Sequence, residues 1–177
     1  GKNIVQQCNN PEKPLLVFQP FGGPGPDHQP NPYSWTRDIH PAHAQKIVDG
    51  VAQKYNVLHV CYEFHPQLNN CHRLDKIISK KALFSMLAFS QKRILIDSSL
   101  QHAAAAFKMK SSVIWVGTHP QVFGYKLHDN IMANKPEVAN QRISSYMFDF
   151  NFENNIHECP YNSAQEMFDF NQVMARV

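Results

Sequence analysis

Short apolar runs alternate with amphipathic stretches along the first two-thirds of the chain. Leu-Leu-Val-Phe-Gln at 15–19 is an apolar run stopped by Pro20 and predicts a buried strand. Val-Leu-His-Val-Cys-Tyr at 57–62 predicts a second strand, Ile77-Ile78 a short third, Arg93 to Ile96 a fourth and Ser112 to Val116 a fifth. Between them the apolar period changes to that of a helix. Ala44, Ile47, Val48 and Val51 share one face of a helix opened by Pro41 and running to about Tyr55. Leu83, Met86, Leu87 and Phe89 do the same between Ala82 and Gln91, and a third helix is predicted from Ser98 to Met109. Strands alternating with helices through short links imply a parallel sheet covered on both faces, an α/β Rossmann-like arrangement. No unit repeats along the chain.

The rhythm breaks after Val116. Residues 117–125, Gly-Thr-His-Pro-Gln-Val-Phe-Gly-Tyr, read as a loop, and the chain from Asn130 to Cys159 is polar and irregular. Within it, residues 145–153 alternate apolar and polar side chains and read as a strand or an extended arm. Ser163 to Glu166 has the pattern of a capping box and opens an amphipathic helix that runs to the end. Residues 1–130 are therefore expected to form one Rossmann-like domain. Residues 131–177 are expected to be an irregular arm and a C-terminal helix, packed on the same domain or on a missing N-terminal one.

Composition narrows the partners. A chain of 177 residues with 43% hydrophobic residues supports one domain with a real core. A formal charge of +3 suits a small anionic ligand, and Lys and Arg form no stripe suggesting nucleic acid. Cys8, Cys61, Cys71 and Cys159 make no CxxC and fit no zinc template; Cys61 reads as a buried thiol and the chain as one from a reducing compartment. No secretory core and no apolar run near membrane-spanning length occurs. The ten histidines show no HExxH or HxH spacing, so no metal site is expected. His59, inside the second strand, reads as a core residue.

In open parallel sheets, ligands bind outside the carboxyl ends of the strands. The first strand is followed by Phe21-Gly22-Gly23, the second by Tyr62, Glu63 and His65. The fourth is followed by Asp97, Ser98, Ser99 and His102, the fifth by Gly117, Thr118 and His119. Polar and glycine-rich residues thus gather on one rim. Asp97 is placed to cap the following helix, leaving free amides at Ser98, Ser99 and Leu100, and those donors favour an anion. Two hydroxyls add donors, and His102 lies one turn on. The Gly/Pro-rich segment 20–35 leads to Arg37, whose fork suits a diphosphate. Glu63 is placed to hold ribose hydroxyls. Each feature also has a plain reading: Asp97 and Ser98 as ordinary caps, Gly22-Gly23 as a loop, Arg37 and Glu63 as solvated surface. Lys80-Lys81 reads as a solvated helix start, and no nucleophile elbow is present.

The segment from Leu83 to Tyr125 resembles the donor-binding half of family 9 glycosyltransferases, the ADP-heptose:lipopolysaccharide heptosyltransferase-like enzymes. Their pattern is a helix, a strand, Asp-(Thr/Ser)-Gly-x-x-His, an alanine-rich helix, a strand and a Gly-Pro/Thr loop. Here that is Asp97-Ser98-Ser99-Leu100-Gln101-His102, then Ala103 to Ala106, then Trp115-Val116-Gly117-Thr118. More loosely, Val17 to Gly23 is similar to the family's first strand and phosphate turn, and Tyr33 to Pro41 to its basic-aromatic segment. Two positions depart: Ser99 stands where the family has Gly, and Arg37 where it has Lys.

The resemblance implies the C-terminal half of a GT-B enzyme that transfers a hexosyl or heptosyl group, with inversion and without a metal, to a cell-surface glycan such as lipopolysaccharide. The donor, a nucleotide-diphosphate sugar, would be held by Gly22, Gly23, Arg37, Glu63, Asp97, Ser98, Ser99, His102 and Thr118. No cofactor is implied. The glycan acceptor and the catalytic base would belong to an N-terminal domain. The implied location is the cytoplasm, free or against the inner face of the membrane. Two other readings stay open: a nucleotide-sugar epimerase of the same fold, and a non-catalytic interaction module.

Overall fold

The computed structural model describes residues 12–23, 36–76, 78–135, 161 and 163–177. Six parallel strands form one sheet in the order β3-β2-β1-β4-β5-β6. They are β1 (Leu15–Phe18), β2 (Asn56–Val60), β3 (His72–Leu74), β4 (Lys92–Ile96), β5 (Ser112–Trp115) and β6 (Asp129–Met132). The helices are α1 (Pro41–Val51), α2 (Lys80–Phe89), α3 (Ser99–Ala106), α4 (Pro120–Phe123), α5 (Ala164–Met167) and α6 (Phe170–Arg176).

Strands β1, β4 and β5 read as continuous apolar runs because both of their faces are covered. On one face Leu16, Phe18, Ile94 and Ile96 pack with Ala44, Ile47 and Val48 of α1 and Val173 of α6. On the other, Val17, Leu95, Val113 and Trp115 meet Leu87 of α2 and Leu100 and Ala104 of α3. The alanine run lets α3 approach closely: Ala104 is fully buried against the sheet.

The two edge strands differ from the sequence reading. The third strand is His72–Leu74 rather than Ile77-Ile78, and Ile78 instead packs beside Leu15, Leu58 and Met86. A sixth strand, Asp129–Met132, pairs with β5 where the chain read as irregular. Each has one neighbour and partial exposure, so neither needs an apolar run. The segment after β5 also contains a helical turn, α4, capped by His119. The C-terminal helix is interrupted. Ser163 makes no side-chain cap, and Asp169 starts a second helix by accepting from the Asn171 and Gln172 amides. Phe168 and Val173 are buried in the α1-side core, so this end of the chain covers the described sheet. The alternating segment 145–153 lies outside the described residues, as do Tyr33 and Trp35.

Candidate nucleotide-diphosphate site

The strand order reverses between β1 and β4, a switch point beside which ligands of open α/β sheets bind, outside the carboxyl ends of the strands. Two polar residues meet across it. The Ser98 hydroxyl donates to Gln19 Oε1 at 2.5 Å, joining the residue after β1 to the residue that starts α3. Ser98 also caps α3, its Oγ accepting from the Leu100 amide at 3.4 Å. The sequence placed Asp97 in that role. Ser98 takes it because its extended backbone (φ −157°, ψ 174°) turns the side chain back over the first helical amides. Ser98 is therefore engaged twice within the protein. Ser99, exposed at the first helical position, keeps its amide without a partner among the described residues.

The segment 36–39 brings the remaining groups together. Its two ends are pinned to the segments that follow β1 and β5: Ile39 N–H donates to Pro20 O at 2.9 Å and Gly117 N–H to Thr36 O at 2.8 Å. The second contact needs glycine, because a Cβ on Gly117 would lie 2.9 Å from Thr36 O and 3.1 Å from its Cα. Asp38, buried, accepts the Gly22 amide at 2.7 Å. Gly22 is thus committed to the turn, and Gly23 is left with an amide that has no partner among the described residues and open space beside its Cα. Arg37 folds back over the turn, its Nη2 3.3 Å from where a Cβ on Gly22 would stand. Its guanidinium makes no hydrogen bond or ion pair among the described residues.

Asp97 sits at the centre. Burial pushes its carboxyl above the usual carboxylate range, against the opposing pull of Thr118, Arg37, His102 and Gln101. The Thr118 hydroxyl is buried beside it, and its Oγ1 has no well-aligned hydrogen-bond partner among the described residues. His102 is exposed on α3, and its Nδ1 meets the Tyr125 hydroxyl at 3.0 Å. The ring leans toward the segment after β5 and stays within electrostatic reach of Asp97. Glu63 is set apart, exposed beyond β2, one strand from the switch point.

Gly22, Arg37, Asp97, Ser98, His102 and Thr118 are therefore gathered beyond the carboxyl ends of β1, β4 and β5, with Ser99 and Gly23 next to them and Glu63 set apart past β2. The sequence reading missed three supporting residues. Gln19 ties β1 to α3, Asp38 holds the glycine turn, and buried Gln101 donates to Phe123 O at 2.9 Å, anchoring α4. Gln19 carried a signal of its own, a polar residue directly after a buried strand. Among the described residues no group of three or more His, Cys, Asp or Glu could hold a metal ion. No helix among them is long and apolar enough to cross a membrane.

The chain matches no family model and no curated protein. Its fold is shared with solved heptosyltransferases. The E. coli heptosyltransferase WaaC with ADP superposes with a TM-score of 0.53 at 12% identity, over 73% of this chain and 41% of that one. The E. coli ADP-heptose lps heptosyltransferase II gives 0.56 at 15%, over 74% and 42%. WaaC with ADP-2-deoxy-2-fluoro heptose gives 0.52 at 12%, over 80% and 46%. The chain thus spans less than half the length of these structures, with the α/β arrangement in common.

Proposed function

We propose that this chain is the donor-binding half of an inverting, metal-independent glycosyltransferase, holding a nucleotide-diphosphate sugar for transfer to a cell-surface glycan such as lipopolysaccharide. One observation carries the reading. Two donors without partners among the described residues lie at the β1/β4 switch point, the Ser99 amide at a helix N-terminus and the Arg37 guanidinium, with the Thr118 hydroxyl buried against Asp97. Solved proteins of the same fold carry ADP or an ADP-sugar analogue, which favours a nucleoside diphosphate over other anions.

The chemistry follows from the charge that builds on the departing diphosphate as the glycosidic bond to the donor breaks. Donors already oriented toward that charge stabilise it without reorganising. The α3 dipole and Ser99 amide would act on it from one side and Arg37 from the other, with His102 as a further ring N–H donor. Asp97 draws Arg37 toward the switch point. Gly23 lets the backbone approach closely. Glu63, past β2, is the residue assigned to the ribose hydroxyls. The group that deprotonates the acceptor hydroxyl is assigned to another domain.

Calorimetry with ADP, UDP and GDP tests the reading. At least one should bind, with or without EDTA, and Arg37→Ala and a Ser98→Ala/His102→Ala double variant should weaken it tenfold or more. Failure of all three nucleotides to bind, or full affinity in both variants, would remove the proposal.

A further inference from the structure

The amino-terminal end of the sheet carries a cavity of its own. Lys92 opens β4, Ser112 opens β5 and Asp129 opens β6, so these residues lie at the end of the sheet opposite Asp97 and Ser98. With Arg93, Lys110 and Arg176 they line a cavity of about 300 Å³, the lower end of the size range of small-ligand sites. Four cations and one anion face it. That excess of +3 equals the formal charge of the whole chain.

Arg93 is the buried member. Its Nε and Nη2 donate to Lys110 O at 3.2 and 3.0 Å, and its Nη1 donates to Ser90 O at 2.6 Å and Ser90 Oγ at 3.1 Å. These partners fix the guanidinium, and all of them are neutral. A buried charge is costly unless an opposite charge meets it, and burial pushes this guanidinium below its usual range. Lys92, half-buried at the next position, has an ammonium with no hydrogen bond or ion pair among the described residues. Burial holds it down first, and Lys110 and Arg93 repel it against the pull of Asp129. The exposed Lys110 ammonium is likewise without a partner among the described residues. Asp129 offers little relief, because Arg176 Nε already stands 3.6 Å from its Oδ1. Ser112 Oγ donates to Arg176 O at 2.9 Å, which ties the end of α6 to the start of β5 and keeps Arg176 at the cavity.

We propose that this cavity binds a phosphate group, at a site separate from the nucleotide site at the other end of the sheet. A phosphate monoester carries about −1.5 to −2 charges and three acceptor oxygens at neutral pH, which suits a cluster with three cations lacking an anionic partner. Arg93 acts through its fixed charge, and Lys92 and Lys110 bind as point charges that turn onto the oxygens. Phosphate is common to soluble phosphorylated molecules and to lipid headgroups, and the experiment distinguishes the two sources.

Proton–nitrogen correlation spectra of the full chain, titrated with inorganic phosphate at constant ionic strength in sodium chloride, test the site. The amides of Gln91 to Arg93 and Lys110 to Ser112 should shift together and saturate. Lys92→Gln/Lys110→Gln should weaken phosphate at these amides tenfold or more and keep the rest of the spectrum native, because neither side chain is in the core. Arg37→Ala should leave the same shifts unchanged, which separates this site from the nucleotide site. Co-sedimentation with phosphatidylcholine vesicles containing phosphatidic acid then identifies the source. Sedimentation of the native chain but not of the double variant makes it a lipid headgroup, and sedimentation of neither makes it a soluble phosphate. No saturable shift at these amides, or shifts of native affinity in the double variant, would overturn the proposal and leave the nucleotide site standing.

Discussion

Ser98 and Gln19 meet at 2.5 Å across the point where the sheet reverses its strand order. The contact ties the end of β1 to the start of α3.

Ser98→Ala removes both the cap and the tie. It should destabilise the chain by about 1 kcal/mol, as loss of a serine cap typically does. Gln19→Ala removes only the tie. A double-mutant cycle followed by urea denaturation should show coupling of about 0.5–1.5 kcal/mol, the net worth of one hydrogen bond. Strict additivity would mean that the contact contributes nothing to folding.

Ser99 separates helix stability from ligand affinity. Ser99→Asp puts a carboxylate in the first turn, which should stabilise α3 by about 0.3–1 kcal/mol. The same charge would face the proposed diphosphate, so nucleotide affinity should fall tenfold or more. Ser99→Gly removes only a side chain and should leave the affinity equal or tighter. Thermal melts and calorimetry on the same preparations read the two effects, and a parallel change in both would refute the placement of Ser99 at the diphosphate site.

Gly117→Ala should destabilise by about 1–3 kcal/mol, as overpacking does, because the new methyl meets Thr36 backbone atoms at 2.9 and 3.1 Å. The Gly117–Thr36 hydrogen bond positions the segment carrying Arg37. Nucleotide affinity should therefore drop even where the variant is fully folded. Native affinity in the folded variant would show that Arg37 is not positioned from this side.

His59 and His65 should make the fold sensitive to mild acid. Burial first, and Arg73 second, hold His59 down to about 3 and His65 to about 4, against an ordinary 6.5. Above pH 6.5 both are neutral in the folded and unfolded chain, and the stabilising difference is fully present. As pH falls below 6.5, the unfolded chain takes up protons that the folded chain refuses. Stability should then decline toward pH 4 and further toward pH 3. His59, fully buried with both ring nitrogens lacking partners among the described residues, should dominate. His59→Leu should flatten the profile in urea titrations between pH 7 and 4. Asp97 has the opposite slope, its carboxyl being raised, so the comparison is made between single variants.

Much of the fold was legible because the central strands are local objects. Leu15–Phe18, Asn56–Val60, Lys92–Ile96 and Ser112–Trp115 are short apolar runs between amphipathic helices, and each can be read without knowing its neighbours. His72–Leu74 and Asp129–Met132 are strands because of the chain they pair with, and at the sheet edges their composition carries little signal. The crowding of candidate residues on one rim was legible for a related reason. In a parallel sheet every strand points the same way, so the residue following each run lands on the same side.

What the amino-acid order determined by itself was the α/β alternation, the buried face of α1, and the set of polar residues available at the carboxyl rim; on α2 it counted Phe89 with the apolar face, and Phe89 is 63% exposed. Tertiary structure decided which of them meet. The order β3-β2-β1-β4-β5-β6 puts the switch point between β1 and β4. Two backbone contacts, Ile39 to Pro20 and Gly117 to Thr36, then fold Arg37 over Gly22. These are contacts between residues far apart in the chain, and their partners are chosen by packing, which no local pattern of apolar and polar residues encodes.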